Sequence, residues 1–152
     1  MSREQFEKLQ KYADLLIDES ARQNVTAVRT RSEIWVRHIL DSAYLLRFLN
    51  DSSDVLDMGT GGGIPAIPLS IMNPTLRITM LDSELRKIEF CEKVIAALEL
   101  LRMQFAVGRK NWRRTKHIAL SSILLYPVRW LPARCCLSCL FRFCVSADRC
   151  LQ

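Results

Sequence analysis

The chain has 152 residues, which is enough for one globular domain with a sizeable hydrophobic core. Hydrophobic residues make up 49% of it and charged residues 25%, as is usual for a soluble globular protein. No apolar leader follows Met1 and no run of about 18 apolar residues occurs, so we expect neither secretion nor a membrane-spanning helix.

The net charge of +6 is distributed unevenly along the chain. Residues 1–108 carry 13 basic and 15 acidic side chains, whereas residues 109–152 carry nine basic side chains and one acidic one. Five of the six cysteines also lie after residue 108, and no glycine does. The composition therefore predicts a boundary near residue 109 between two different kinds of sequence.

The N-terminal part is predicted to be helical. Ser2 and Gln5 have the spacing of a capping box, and apolar residues then recur every three or four positions. This pattern predicts an amphipathic helix over 3–19. A second helix is predicted over 32–49, with Ser32 as its N-cap.

Strand and helix patterns alternate in the following segment. Runs rich in apolar and β-branched residues predict three strands, around Val55, over 77–81 and over 103–107. Between them, helices are predicted over 67–72 and 85–100. This alternation predicts an α/β fold with a parallel sheet and right-handed crossovers.

A glycine-rich loop, DMGTGGGIPAIPLSI at 57–71, follows the first strand. Its glycines at alternate positions, Gly59, Gly61 and Gly63, match an S-adenosylmethionine loop better than the dinucleotide-binding pattern. Glycines there allow close approach of a ligand at the carboxyl ends of the strands. Asp82, at the end of the next strand, is placed to accept hydrogen bonds from ribose hydroxyls. A flexible turn and a helix-capping acid form the alternative interpretation.

Five blocks, in this order, carry a more specific resemblance: NVTAV (24–28), VRHILDS (36–42), the loop 57–71, LDS (81–83) and GR (108–109). Over about residues 8–109 the chain resembles the small-subunit ribosomal RNA guanine-N7 methyltransferase family, also called glucose-inhibited division protein B. The resemblance implies a Rossmann-like class I S-adenosylmethionine-dependent methyltransferase fold with N-terminal helices, here incomplete, with the first three strands.

The same resemblance implies a cytoplasmic enzyme that acts without a membrane partner and that we expect to be a monomer. Its activity would be transfer of a methyl group from S-adenosyl-L-methionine to N7 of a guanine in the 16S ribosomal RNA of the small ribosomal subunit. Guanine N7 offers a lone pair and carries no proton, so alignment rather than acid–base chemistry is expected to dominate. We therefore assign no catalytic residue and no metal.

By resemblance, six residues are predicted to bind the cofactor: Gly59, Gly61, Gly63, Ile64, Asp82 and Ser83. Arg37 and His38 are candidates for contact with cofactor or RNA, and Arg86 and Lys87 for contact with an RNA phosphate. The alternatives stay open: a solvated arginine with a partly buried structural histidine, and a solvated helix face. Cys91 is predicted to be a small core residue.

The resemblance stops after Arg109, which gives three predicted regions. These are an N-terminal helical segment (1–50), the first half of a Rossmann-like cofactor domain (51–109) and a tail outside the family pattern (110–152). Its arginine, leucine, serine and cysteine content suggests a frameshift near codon 109 and an inactive product, which the coding DNA would test. The alternative is a cofactor- or RNA-binding remnant without catalysis.

Two further interpretations of the tail compete with a frameshift. One is a zinc site built from His117 and cysteines, but only one C-x-x-C pair, 136–139, is present. The other is an RNA-binding extension in which Trp112 and Trp130 stack on bases. The pattern of 118–128 does not favour a strand, so the strand around Val55 is expected to have an exposed edge.

Overall fold

The computed structural model describes residues 1–23, 25–107 and 123–125, with residues 106–107 and 123–125 described by their backbone only. The predictions for the tail concern mainly residues 110–122 and 126–152. The zinc site, the RNA-binding extension and the frameshift therefore lie outside the described residues.

Helix α1 spans Arg3–Arg22 and begins as the sequence predicts. The Ser2 hydroxyl accepts a hydrogen bond from the Gln5 N–H, and the Gln5 side chain accepts one from the Ser2 N–H, which confirms the capping box. One face of the helix is fully buried, at Leu9, Tyr12, Ala13 and Leu16.

The second helical segment changes its winding along its length. It is α-helical at Arg31–Ile34 (α2), π-helical at Trp35–Leu40, α-helical again at Asp41–Leu45 (α3) and 3-10 helical at Leu46–Phe48. The prediction of Ser32 as N-cap is wrong. Thr30 has the extended backbone of a cap and accepts the Glu33 N–H, whereas Ser32 already lies in the first turn.

The sheet contains β1 (Asp54–Met58), β2 (Arg77–Asp82), β3 (Met103–Val107) and β4 (Ile123–Leu125). All neighbouring pairs are parallel, in the order β3-β2-β1-β4. Helix α4 (Ala66–Met72) connects β1 to β2, and helix α5 (Leu85–Leu98) connects β2 to β3. The predicted Rossmann-like arrangement of the first three strands is confirmed.

Strand β4 pairs with the edge of β1 that was expected to be exposed. Val55 is in register with Ile123, and Asp57 with Leu125. The expectation of an exposed β1 edge is therefore wrong for this part of the strand. The sequence pattern around 118–128 missed β4 because pairing with the free N–H and C=O groups of β1 is a tertiary effect.

One hydrophobic core joins the N-terminal helices to the sheet. It includes Leu9 and Leu16 from α1, Val55 from β1, Ile78 from β2 and Cys91 from α5. Cys91 is fully buried, as predicted. Shared burial fixes α1 against the sheet and its helices, and so brings distant parts of the sequence to the glycine loop.

Within the described ranges, no helix combines the length and apolarity needed to cross a membrane.

Candidate functional site

The glycine loop, residues 59–64, begins where β1 ends and lies beside the end of β2. The register places Met58 opposite Leu81. The N–H groups of Gly59 and Thr60 both donate to the Leu81 carbonyl, at 2.7 and 3.2 Å. The loop is thus anchored at the carboxyl edge of two parallel strands, where ligands bind in folds of this class.

The backbone of the loop requires glycine. Gly59, Gly61 and Gly63 have φ angles of 80°, 56° and 83°, a region that other residues rarely adopt. A Cβ atom on Gly63 would also lie 2.3 Å from Cδ1 and 2.8 Å from Cγ1 of Ile67. The Gly63 N–H and the Ile64 N–H both donate to the Thr60 carbonyl. This network disfavours the interpretation of the loop as a flexible turn.

Asp82 connects the loop to the start of α5. One carboxylate oxygen accepts the Gly61 N–H at 3.0 Å and the other accepts the Glu84 N–H at 2.9 Å. Its side chain is buried, with 6% of the residue exposed. Each oxygen retains a second lone pair, so these bonds are compatible with the predicted acceptance of ribose hydroxyls.

Asp57 and Thr60 form a buried pair beneath the loop that sequence reasoning did not assign to the site. The Thr60 hydroxyl donates to the Asp57 carboxylate at 2.6 Å. Burial raises the pKa of Asp57 to about 7, although the hydrogen bond from Thr60 acts in the opposite direction. The sequence signal for Asp57 was its position, because it is an acidic residue at the end of an apolar strand and just before a glycine loop.

Two further side chains support the loop from the core. The Tyr12 hydroxyl donates to the Gly62 carbonyl at 2.8 Å, and the Cys91 thiol lies 3.6 Å from the Gly61 carbonyl. Burial raises the pKa of both Tyr12 and Cys91, so both groups stay protonated and able to donate. Sequence reasoning missed Tyr12, whose position indicates only the apolar face of α1.

The remaining predicted cofactor residues lie at the solvent side of the same edge. Ile64 is half-buried, and Ser83, which follows Asp82 directly, is exposed. The peptide bond between Ile64 and Pro65 is cis. The structure therefore brings the six predicted cofactor residues to one edge of the sheet, and their contact with a cofactor remains a prediction.

Arg37 and His38 lie on the π-helical stretch. Arg37 is exposed and His38 is half-buried, with its Nε2 atom 2.9 Å from the Thr26 hydroxyl. Burial lowers the pKa of His38, so its ring is neutral at pH near 7. Val25, which precedes Thr26, has its carbonyl oxygen 3.5 Å from the position that a Cβ atom on Gly61 would take. The segment that contacts His38 therefore lies beside the glycine loop.

Arg86 and Lys87 lie in the first turn of α5. Arg86 is exposed, whereas the Lys87 ammonium forms an ion pair with Glu84 at 2.7 Å. Part of the positive charge predicted to meet an RNA phosphate is therefore neutralised locally. Arg86 is the better candidate of the two for such a contact.

A polar depression of about 340 Å³ lies at the C-terminal end of α1, apart from the loop. It is lined by Ser20, Ala21, Arg22, Gln23 and Arg29. The Arg29 guanidinium donates to the Ser20 carbonyl. No residue of the loop lines this depression, so the strand edge, and not the depression, defines the candidate site.

Comparison of the sequence with known proteins matches the chain to a family. A family model described as rRNA small subunit methyltransferase G (GidB) matches residues 5–121. The chain belongs to this family. The family match continues past Arg109, where the sequence predicts a boundary, and the division of the chain into three regions remains a prediction.

Individual members of the methyltransferase G family agree with this assignment. A protein of Moorella thermoacetica is 37% identical over 127 residues, which are 78% of this chain and 53% of that protein. One of Chloroflexus aggregans is 43% identical over 101 residues, covering 66% of this chain and 42% of that protein. One of Pseudomonas putida (strain F1) is 44% identical over 101 residues, covering 66% and 47%.

All three are named "Ribosomal RNA small subunit methyltransferase G". The chain spans about half the length of these relatives.

Proposed function

We propose that the loop 59–64 binds S-adenosyl-L-methionine and that the fold is that of an enzyme that methylates N7 of a guanine in 16S ribosomal RNA, of which this chain, by its tail, is predicted to be a truncated form without turnover. One observation carries the proposal. The chain belongs to the methyltransferase G family, and its glycine loop meets Asp82 at the carboxyl edge of the parallel strands. A hydrogen bond from the Gly61 N–H to the Asp82 carboxylate joins the two.

The residues at this edge fit such a cofactor. Gly59 and Ser83 are exposed there, and Gly61 and Ile64 are half-buried, so a ligand can reach them. We infer that Gly59 and Ile64 contact the cofactor and that Asp82 and Ser83 hold its ribose.

When bound, S-adenosylmethionine supplies an electrophilic methyl group on a sulfonium centre. The protein's own task is to bind and align, because guanine N7 needs no base to remove a proton. The candidate RNA contacts agree with this division of labour. Arg37 and Arg86 are exposed, and the lowered pKa of His38 makes it a neutral hydrogen-bonding group rather than a cation.

Two measurements on the full chain test the proposal. Calorimetry measures binding of S-adenosylmethionine, and a radiolabel assay measures methyl transfer to small ribosomal subunits that lack the modification. Binding with turnover supports the enzyme. Binding without turnover supports the alternative, a cofactor-binding protein without catalysis. Absence of both overturns the proposed function.

Replacement of Asp82 by asparagine should weaken both the loop and the site. The amide group keeps one acceptor oxygen and places an NH₂ group against a backbone N–H, so one of the two N–H donors, of Gly61 or Glu84, loses its partner. We expect a loss of about 1–3 kcal/mol in the free energy of unfolding and at least about tenfold weaker cofactor binding. Urea unfolding and calorimetry measure the two effects.

The matched control for Asp82 is Asp51→Asn, at an exposed aspartate in the turn before β1. Its effects on both quantities should be small, because the amide remains solvated. Cofactor affinity that is the same in Asp82→Asn and in the wild type would contradict the assignment of Asp82 to the site.

A further inference from the structure

We propose that Tyr12 is a positioning residue for the cofactor loop, and that its hydroxyl makes the N-terminal helix α1 part of the methyl-donor site. The Tyr12 hydroxyl donates to the Gly62 carbonyl at 2.8 Å, between residues 50 positions apart in sequence. The inference rests on the proposed binding of S-adenosylmethionine to residues 59–64. It adds to the site a residue that lies far from the glycine motif in the sequence.

The hydrogen bond from Tyr12 is obligatory for both partners. Tyr12 has 0% of its surface exposed, and Gly62 is buried as well. A buried hydroxyl or carbonyl without a partner is strongly unfavourable. Because burial raises the pKa of Tyr12, the phenol remains a donor throughout the physiological pH range. The pair therefore constrains the Gly62 carbonyl throughout the physiological pH range.

The bond fixes one peptide within the run of three glycines. The peptide joining Gly62 to Gly63 is held at both ends, by Tyr12 at its carbonyl and by the Thr60 carbonyl at its N–H. The preceding peptide has only the long contact from Cys91 at its carbonyl, and its N–H has no partner in the described part of the chain. Three consecutive glycines resist rotation weakly, so the tyrosine limits the number of conformations that the loop can adopt.

Helix α1 is also docked by contacts that do not involve Tyr12. The Gln5 side chain donates to the Met72 carbonyl at 2.9 Å, at the end of α4. The Lys11 ammonium donates to the Ala97 carbonyl at 2.8 Å, in the last turn of α5, where a positive charge is favourable. Tyr12, next to Lys11, thus extends from a fixed helix to the loop. Lys11 offers a matched control that loosens the helix without touching residues 59–64.

The test compares Tyr12→Phe with Lys11→Met in the full chain. Tyr12→Phe removes one oxygen atom and keeps the buried ring, so packing is retained. We expect its dissociation constant for S-adenosylmethionine to rise about 5- to 50-fold, because the bound loop geometry becomes a minor conformation. In the ligand-free protein, amide exchange at Gly63 and Ile64 should accelerate. Lys11→Met should bind the cofactor like the wild type.

Each other outcome overturns a defined statement. Equal affinity of wild type and Tyr12→Phe, or an equal loss in Lys11→Met, overturns the positioning role while leaving the proposed function intact. Absence of binding by the wild type overturns the proposed function, and the role of Tyr12 falls with it. In the wild type alone, exchange at Gly63 as fast as that of an unprotected amide also contradicts the inference, even if the variant does not fold.

Discussion

Replacement of Gly63 by alanine is expected to lower the free energy of unfolding by about 2–5 kcal/mol and to abolish measurable cofactor binding. The added Cβ would lie 2.3 Å from Ile67 Cδ1, and the backbone has a φ of 83°. Ile67 is fully buried in α4, so it cannot move aside without disturbing the core. Urea unfolding followed by circular dichroism measures the loss, and calorimetry measures the binding.

Gly61→Ala is the matched control for the steric part of this prediction. Its φ is 56°, inside the left-handed region, and the nearest atom to an added Cβ is the Val25 carbonyl oxygen at 3.5 Å. The backbone conformation alone should lower stability by about 1–2 kcal/mol. Equal destabilisation by the two substitutions would show that contact with Ile67 does not explain the requirement for glycine at position 63.

Replacement of Asp57 by asparagine is expected to remove a large pH dependence of stability. The pKa of Asp57 is about 7 in the fold, against an ordinary value of 3.8, because burial disfavours the charged form. Between these values the folded protein binds more protons than the unfolded chain, so stability falls as pH rises from about 4 to about 7. The full decrease is on the order of 4 kcal/mol, and it persists at higher pH.

Asparagine at position 57 can still accept the Thr60 hydroxyl but does not titrate. Relative to the wild type, Asp57→Asn should therefore gain stability between about pH 5 and about pH 8. Urea unfolding at both values measures the change, and the difference between the two proteins cancels the opposite contribution of His38. The exposed Asp18→Asn is the control. Parallel pH profiles for wild type and Asp57→Asn would show that Asp57 is charged in the fold.

Local patterns in the sequence predicted most of the architecture. The capping box of Ser2 and Gln5 and the first three strands are present as predicted, because hydrogen bonding within one turn and apolar runs act over short distances. The membership of the methyltransferase G family, predicted from five sequence blocks between residues 24 and 109, is shown by the match over residues 5–121. The N-cap prediction failed because Thr30 and Ser32 have equivalent chemistry, and only the backbone distinguishes them.

The position of the loop was predictable from the sequence itself. Alternating glycines followed by an acid at the end of the next strand predicted both the turn and its position at the sheet edge. The spacing of these residues is enough to predict that position, because neighbouring parallel strands bring their carboxyl ends to the same edge of the sheet. The same rule placed Asp82 beside Gly61.

Tertiary structure alone decided what holds the loop in place. Tyr12 contacts Gly62 across 50 positions of sequence, and β4 pairs with β1 although its own pattern does not favour a strand. The raised pKa of Asp57 likewise arises from burial, which no property of the residue itself reveals. These features depend on which groups the folded core removes from water and on the partners it leaves within reach, and neither is encoded in local spacing.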